Sequence, residues 1–162
     1  MENVRLPLDE FTDLPMAAKE LIALNKLKLV LMESAADKMP SDLSGGMQKR
    51  AAIARAMALD PGIIFLDEPS AGLDPITSAG LDALIRELSR NLGITFVVVT
   101  HELSSIFAIA DRVIMLDLKT KSIIGEGTPQ DLRDHSPNPW VRQFFNPEAD
   151  SPNPPSPSKQ KL

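Results

Sequence analysis

The chain has 162 residues, 43% of them hydrophobic and 24% charged, which is enough for one domain with a packed core. Its net charge of −5 argues against a dedicated nucleic-acid binder, and its lack of cysteine excludes both a disulfide framework and a cysteine-ligated metal site. No run of 18 apolar residues occurs, and Met1-Glu2-Asn3-Val4-Arg5 lacks the charged-then-apolar pattern of a signal peptide, so the expected location is cytoplasmic.

The first dozen residues read as an extended or irregular lead-in. Leu14-Pro15 then marks a helix start, and Leu21, Ile22, Leu24, Leu27, Val30 and Leu31 recur near helical spacing from Met16 to about Met32. A polar stretch from Glu33 to Asp42 separates this helix from a second, alanine-rich one, expected from about Ser44 to Leu59 and stopped by Asp60-Pro61-Gly62. Ile63-Ile64-Phe65-Leu66 and Ile94-Thr95-Phe96-Val97-Val98-Val99 are continuous apolar runs, the pattern of strands buried on both faces of a parallel sheet. A helical segment from about Ile76 to Asn91 lies between them, which completes a strand–helix–strand unit and predicts an α/β fold. A helix near Leu103 to Ala110 follows, then a strand pair, Arg112 to Leu116 and Ser122 to Gly125. Thr128-Pro129 opens one more short helix, with threonine as its cap. From Asn146 the chain loses its apolar period and carries five prolines by Pro157, which predicts a disordered tail over 146–162.

Three clusters carry candidate chemistry. Asp67 and Glu68 directly follow the first apolar strand. Ligands of parallel sheets bind beyond the carboxyl ends of the strands, and Mg²⁺ takes oxygen ligands, so this pair suits a metal and a polarised water; it also suits a strand that simply ends in acidic surface residues. Ser44-Gly45-Gly46-Met47 reads as a capped helix start, or as an N-terminus whose free N–H groups attract phosphate oxygens. His101, ending the second strand, is able to bond a phosphate or a nucleophilic water, or else packs as an ordinary surface histidine.

Taken together, LSGGM at 43–47, IIFLDEP at 63–69, SAGLD at 70–74 and TH at 100–101 resemble the ATP-binding subunits of ABC transporters, over about Met1 to Phe145. The resemblance implies a partial P-loop NTPase domain, a mostly parallel sheet flanked by helices. Residues 5–60 would hold part of the helical subdomain with the signature motif, and 61–145 the catalytic core. Ser44, Gly45, Gly46 and Met47 match the signature, which in that family contacts the γ-phosphate of ATP held by the opposite subunit. Asp67 matches the Walker B aspartate that holds Mg²⁺, Glu68 the general base, Ala71 to Asp74 the D-loop, and His101 the switch histidine. ATP and Mg²⁺ are the implied cofactors, in a chemistry whose demands are positioning and charge stabilisation.

The phosphate cradle G-x-x-x-x-G-K-[ST] is absent: none of the eight glycines is followed by lysine. The family's glutamine loop and adenine-stacking aromatic are not found either, and Met1-Glu2-Asn3-Val4 resembles the stretch that follows that loop. The expectation is therefore the latter part of a longer ATPase domain, unable to bind ATP productively by itself. The alternative is a non-catalytic half-subunit that donates Ser44-Gly45-Gly46 in trans to an intact ATPase. Asn3 to Leu8, residues 70–79, Leu103 to Arg112 and Pro139 to Phe145 are similar to the Mla-type lipid transporters. That similarity implies phospholipid movement between bacterial membranes. It also implies a second ATPase subunit, a transmembrane permease and an MCE-type lipid-binding protein as partners, and a peripheral place on the inner membrane through the permease.

Overall fold

The computed structural model describes residues 1–146, and the chain divides into two units, Met1–Ile109 and the residues from Ala110 on. All but the first residue of the expected tail lies outside the described residues. Among those residues no helix is long and apolar enough to cross a membrane.

The first unit opens with two helices, α1 (Glu2–Phe11) and α2 (Met16–Leu29). The irregular lead-in expected from sequence is therefore a helix, despite Pro7 in its interior, a position that costs a free helix about 3 kcal/mol. Tertiary contacts outweigh that cost. Val4 and Leu8, one turn apart, are both buried, and Val4 packs in the core with Ala23 and Leu27 of α2. Arg5 donates to Asp9 at 2.9 Å and reaches Glu20 of α2 at 3.4 Å, while Lys19 approaches Asp9 at 3.6 Å. Asn3 accepts a bond from Arg55 at 3.0 Å.

Helix α2 stops earlier than its apolar period suggests. Leu31 adopts the left-handed conformation (φ 60°), the Met32 N–H returns to the Leu27 carbonyl at 2.8 Å and the Leu31 N–H to Lys28 at 3.0 Å. That is the wrapped C-terminus usually built on glycine. Two short 3₁₀ turns, Glu33–Ala35 and Pro40–Asp42, lead to α3 (Gly45–Ala56).

Strand β1 (Ile63–Asp67), helix α4 (Pro75–Leu92) and strand β2 (Thr95–Val99) form the expected crossover, with β1 and β2 parallel and Ile63 opposite Thr95 through to Asp67 opposite Val99. Pro75 fills the first turn of α4, and Gly93 (φ 67°) closes it. Leu81, Leu84, Ile85 and Leu88 of α4 join Ile53, Met57 and Ile64 in one core. Burial on both faces, however, is not what the strands show. Ile64, Leu66 and Phe96 turn toward the core, while Ile63, Phe65, Val97 and Val99 are exposed, Phe65 at 76%. The apolar runs are continuous because both faces are hydrophobic, yet only one is covered within this unit. Helix α5 (Leu103–Ile109) ends the unit, with Ile106 buried.

The second unit is a hairpin and two short helices. Strands β3 (Val113–Asp117) and β4 (Ser122–Gly127) pair antiparallel, with an irregularity between Met115 and Leu116. Helix α6 (Pro129–His135) begins at Thr128, whose hydroxyl accepts the Asp131 N–H at 3.2 Å, as the sequence predicts. Helix α7 (Pro139–Phe145), which has no counterpart among the sequence expectations, is capped by Asn138 and buries Val141 and Phe145. A Cβ on Gly125 would stand 3.2 Å from both methyls of Val141, so this glycine is what lets α7 lie against the hairpin.

Leu31 offers a clean stability test, because its side chain is 77% exposed and its positive φ costs a leucine on the order of 1 kcal/mol. Leu31→Gly is expected to raise unfolding stability by about 1 kcal/mol, read as a shift in denaturant midpoint at constant m.

Candidate functional site

The predicted carboxylate pair stands where the β1–β2 ladder runs out. The Glu68 N–H donates to the Val99 carbonyl at 2.8 Å, one residue beyond the last paired position, so the turn after β1 is pinned to the end of β2. Glu68 there takes φ 43°, the left-handed region that costs a non-glycine residue about 1–3 kcal/mol and persists only where its surroundings over-determine it. Its carbonyl accepts the Ala71 N–H at 3.2 Å and the Lys49 ammonium at 3.2 Å.

The Glu68 side chain is held as firmly as its backbone. Oε1 lies 2.7 Å from Nδ1 of His101, and Oε2 accepts the Thr100 hydroxyl at 3.2 Å. Thr100 is itself oriented by the Glu102 N–H, which donates to its Oγ1 at 3.1 Å. The bond from His101, the nearby imidazolium charge and the Thr100 hydroxyl together hold the Glu68 carboxyl below the usual glutamate range, against a smaller opposing effect of burial. Reciprocally, the Glu68 hydrogen bond and charge raise His101 above 6.5. With Nδ1 committed to Glu68, Nε2 is the ring nitrogen left for a ligand. Asp67, at the last position of β1, is exposed, and its carboxylate makes no hydrogen bond among the described residues. No cluster of three or more histidines, cysteines or carboxylates suited to a metal occurs among those residues. Asp67 thus supplies one free oxygen ligand. That is the contribution Mg²⁺ takes from a protein when phosphates and waters complete its shell.

The second group of predicted residues lies at the start of α3. Ser44 caps the helix, accepting the Met47 N–H at 3.4 Å, and the Gln48 N–H returns to the Ser44 carbonyl at 2.9 Å. The amides of Gly45 and Gly46 find no acceptor among the described residues. Ser44 and Gly45 are exposed, while Met47 is half-buried against the core. The glycines also have a packing reason. A Cβ on Gly46 would fall 2.5 Å from the Thr77 methyl, and one on Gly45 would fall 3.3 Å from Leu73. The helix start therefore presses on the loop that follows Glu68. Asp74, in that loop, caps α4 by accepting from Ile76 at 3.1 Å and Thr77 at 3.0 Å, and the bond from the Thr77 hydroxyl leads the causes that lower its carboxyl. Gly72 takes φ 79° between the two.

All eight predicted site residues fall in the first unit, in two groups linked through α3: Ser44 to Met47 at its N-terminus, and Lys49 one turn on, touching Glu68. Sequence reasoning gave no role to Thr100 or Lys49. The threonine had a signal, a lone hydroxyl between an apolar strand and a histidine; Lys49 had none, because its contact is fixed by how α3 crosses the end of β1.

Two measurements test this geometry. Gly46→Ala is expected to cost about 1–3 kcal/mol through the Thr77 clash, exceeding the 0.5–1 kcal/mol that alanine brings to a helix. Adding Thr77→Ser, which removes the methyl and keeps the hydroxyl bond to Asp74, should recover most of the loss in a denaturation series. In an NMR titration the His101 ring should deprotonate above 6.5, and Glu68→Gln should return it toward 6.5. The sign follows from the two shifts. Stability from raised His101 is present at low pH and lost as pH climbs through its folded value. Stability from lowered Glu68 is present at high pH and lost as pH falls through its folded value. The charged pair is therefore complete across the interval from 4.5 to 6.5.

Comparison with known proteins agrees with these motifs. Residues 4–71 match the ABC transporter domain family. The chain is 46% identical over 153 residues to the intermembrane phospholipid transport system ATP-binding protein MlaF of Escherichia coli, covering 94% of this chain and 56% of that protein. It is 38% identical over 145 residues to the "Probable ribonucleotide transport ATP-binding protein mkl" of Mycobacterium leprae, covering 90% of this chain and 41% of that one. The chain thus spans about half the length of the curated relatives it matches. Among solved structures, cbiO1 of Clostridium perfringens, part of the ABC transporter complex cbiONQ, superposes with a TM-score of 0.72 at 31% identity, covering 79% of this chain and 50% of that one. The matched stretch of residues 4–71, with its signature-type helix start and strand-end carboxylates, is an ABC transporter domain, and the chain shares the α/β fold of ABC ATPase domains.

Proposed function

We propose that this chain contributes the hydrolytic side of an ATP site in an ABC transporter that moves phospholipid between bacterial membranes. The observation that carries the reading is the 2.7 Å contact between Glu68 and His101 at the ends of two adjacent parallel strands. In this reading Glu68 polarises the water that attacks the γ-phosphorus. A lowered pKa keeps its carboxylate ionised, and each oxygen retains a lone pair beyond those used by His101 and Thr100. His101, with Nδ1 on Glu68, leaves Nε2 as the group that would donate to the oxygens gaining charge as the bond to ADP breaks. Asp67 would hold Mg²⁺ through its free carboxylate, and the metal would supply neutralisation of phosphate charge. Ser44 and Gly45 present an exposed hydroxyl and an unused amide at a helix N-terminus, with Gly46 buried beside them against Thr77, a donor set suited to the γ-phosphate of ATP on an opposing subunit.

The grip on the triphosphate itself is the part this chain's residues do not provide. Without a cradle lysine and its loop amides the β- and γ-phosphates lack their main electrostatic partners, so the chain alone is expected to bind ATP negligibly. Phospholipid is the proposed cargo because MlaF shares the largest identity reported above and is named for that transport. The working assembly is then a pair of ATP-binding subunits on a transmembrane permease, peripheral at the inner membrane, with an MCE-type lipid-binding protein.

Calorimetry on the 162-residue chain should give no Mg²⁺-dependent ATP binding; tight binding would overturn the division of labour. In a full-length chimera carrying these residues in place of the matching stretch of MlaF, Glu68→Gln should retain ATP binding and lower turnover by at least about 100-fold. His101→Ala should lower it by on the order of tenfold or more. Undiminished hydrolysis in either variant would remove that residue from the mechanism.

A further inference from the structure

Glu68 is the point where the fold stores backbone strain at a group proposed for chemistry, and its surroundings account for how that strain is retained. Two of its contacts are bonds between backbone groups: Glu68 N–H to the Val99 carbonyl of β2, and Ala71 N–H to the Glu68 carbonyl within the turn. The third contact on this residue's backbone is of another kind. Lys49 comes from α3, 19 residues earlier, and places Nζ 3.2 Å from the Glu68 carbonyl oxygen. A charged donor on a carbonyl is among the stronger hydrogen bonds, roughly twice a neutral pair. The Lys49 side chain belongs to the same helix whose first turn bears the signature-type glycines, and that first turn presses on Leu73 and Thr77 beyond Glu68. One helix thus touches the Glu68 turn on its carbonyl and, further on, at the start of α4.

We propose that Lys49 is a positioning residue: its ammonium clamps the peptide carbonyl of Glu68 and so holds that residue in the left-handed conformation that aims its carboxylate at His101 and Thr100. The peptide plane that carries the carbonyl is set by the ψ of Glu68. Fixing that plane on one side, with the N–H fixed on Val99 on the other, leaves the residue no freedom to relax toward negative φ. The carboxylate then keeps the two partners, His101 at 2.7 Å and Thr100 at 3.2 Å, that define its direction. The catalytic consequence rests on the reading of Glu68 given above; the clamp does not.

The test is amide hydrogen exchange followed by NMR on the 162-residue chain. In Lys49→Met, the Glu68 and Ala71 amides should exchange about tenfold faster, the factor equivalent to about 1.4 kcal/mol, while the Leu84 and Ile85 amides in α4 are unchanged. Lys49→Arg, which keeps a cationic donor, should restore protection to within about twofold. Unchanged Glu68 and Ala71 exchange in Lys49→Met, or an acceleration spread evenly over the unit, overturns the clamp, and so does a failure of arginine to rescue. In the MlaF chimera, Lys49→Met should lower kcat about tenfold with KM within about twofold, and Lys49→Arg should recover it. Local acceleration of exchange with an unchanged kcat overturns the catalytic role. A chimera with intact Lys49 that hydrolyses no ATP removes the functional reading, and the exchange data then decide the clamp by themselves.

Discussion

The hydrogen bond from the Glu68 N–H to the Val99 carbonyl is the constraint on which the arrangement turns. It is the last bond of the parallel ladder, made by the residue just past β1, and it ties the first residue of one loop to the last residue of a distant strand. Everything chemical in the first unit is placed relative to that tie. Asp67 precedes it on the strand, Thr100 and His101 follow Val99 directly, and Lys49 approaches from the helix that crosses the strand ends. A parallel pair needs a crossover, and α4 supplies it with a buried stripe of Leu81, Leu84, Ile85 and Leu88. The core therefore fixes the site through strand register. Slipping β1 by one residue would turn Ile64 outward and carry Glu68 away from His101.

Much of this was readable in the amino-acid order. Two apolar runs separated by a helical period gave the crossover, and proline at a helix start, with threonine before it in one case, gave the beginnings of α2 and α6. The motifs singled out Glu68 and His101 separately, and the parallel pairing of β1 with β2 brings them together. What could not be read has physical causes. Helix α1 has no capping side chain and contains Pro7, so local rules point away from a helix; it forms because Val4, Leu8 and the Arg5–Asp9–Lys19 ion pairs engage α2. Helix α2 breaks at Leu31, a residue with no intrinsic preference for positive φ. The exposure of Phe65 and Val97 was hidden because an apolar run looks the same whether one face or both are covered.

The site shows the same division. Residue types announce which groups are able to act, and the signature-type glycines announce a tight helix start. Their packing reason, a Thr77 methyl that leaves no space for a Cβ on Gly46, depends on a crossing of two helices that no local pattern encodes. The left-handed Glu68 is likewise silent in sequence, since glutamate has no special liking for that region. Its conformation is imposed by three backbone contacts from three different segments.

The parallel pairing also has a consequence for biosynthesis. Ile63 and its partner Thr95 are 32 positions apart, so at about 5–20 residues per second a ribosome leaves β1 without its neighbour for roughly 2–6 s. During that interval Ile63, Ile64 and Phe65 emerge as an unaccompanied apolar segment. Until Thr95 follows, that segment is open to nascent-chain holding factors.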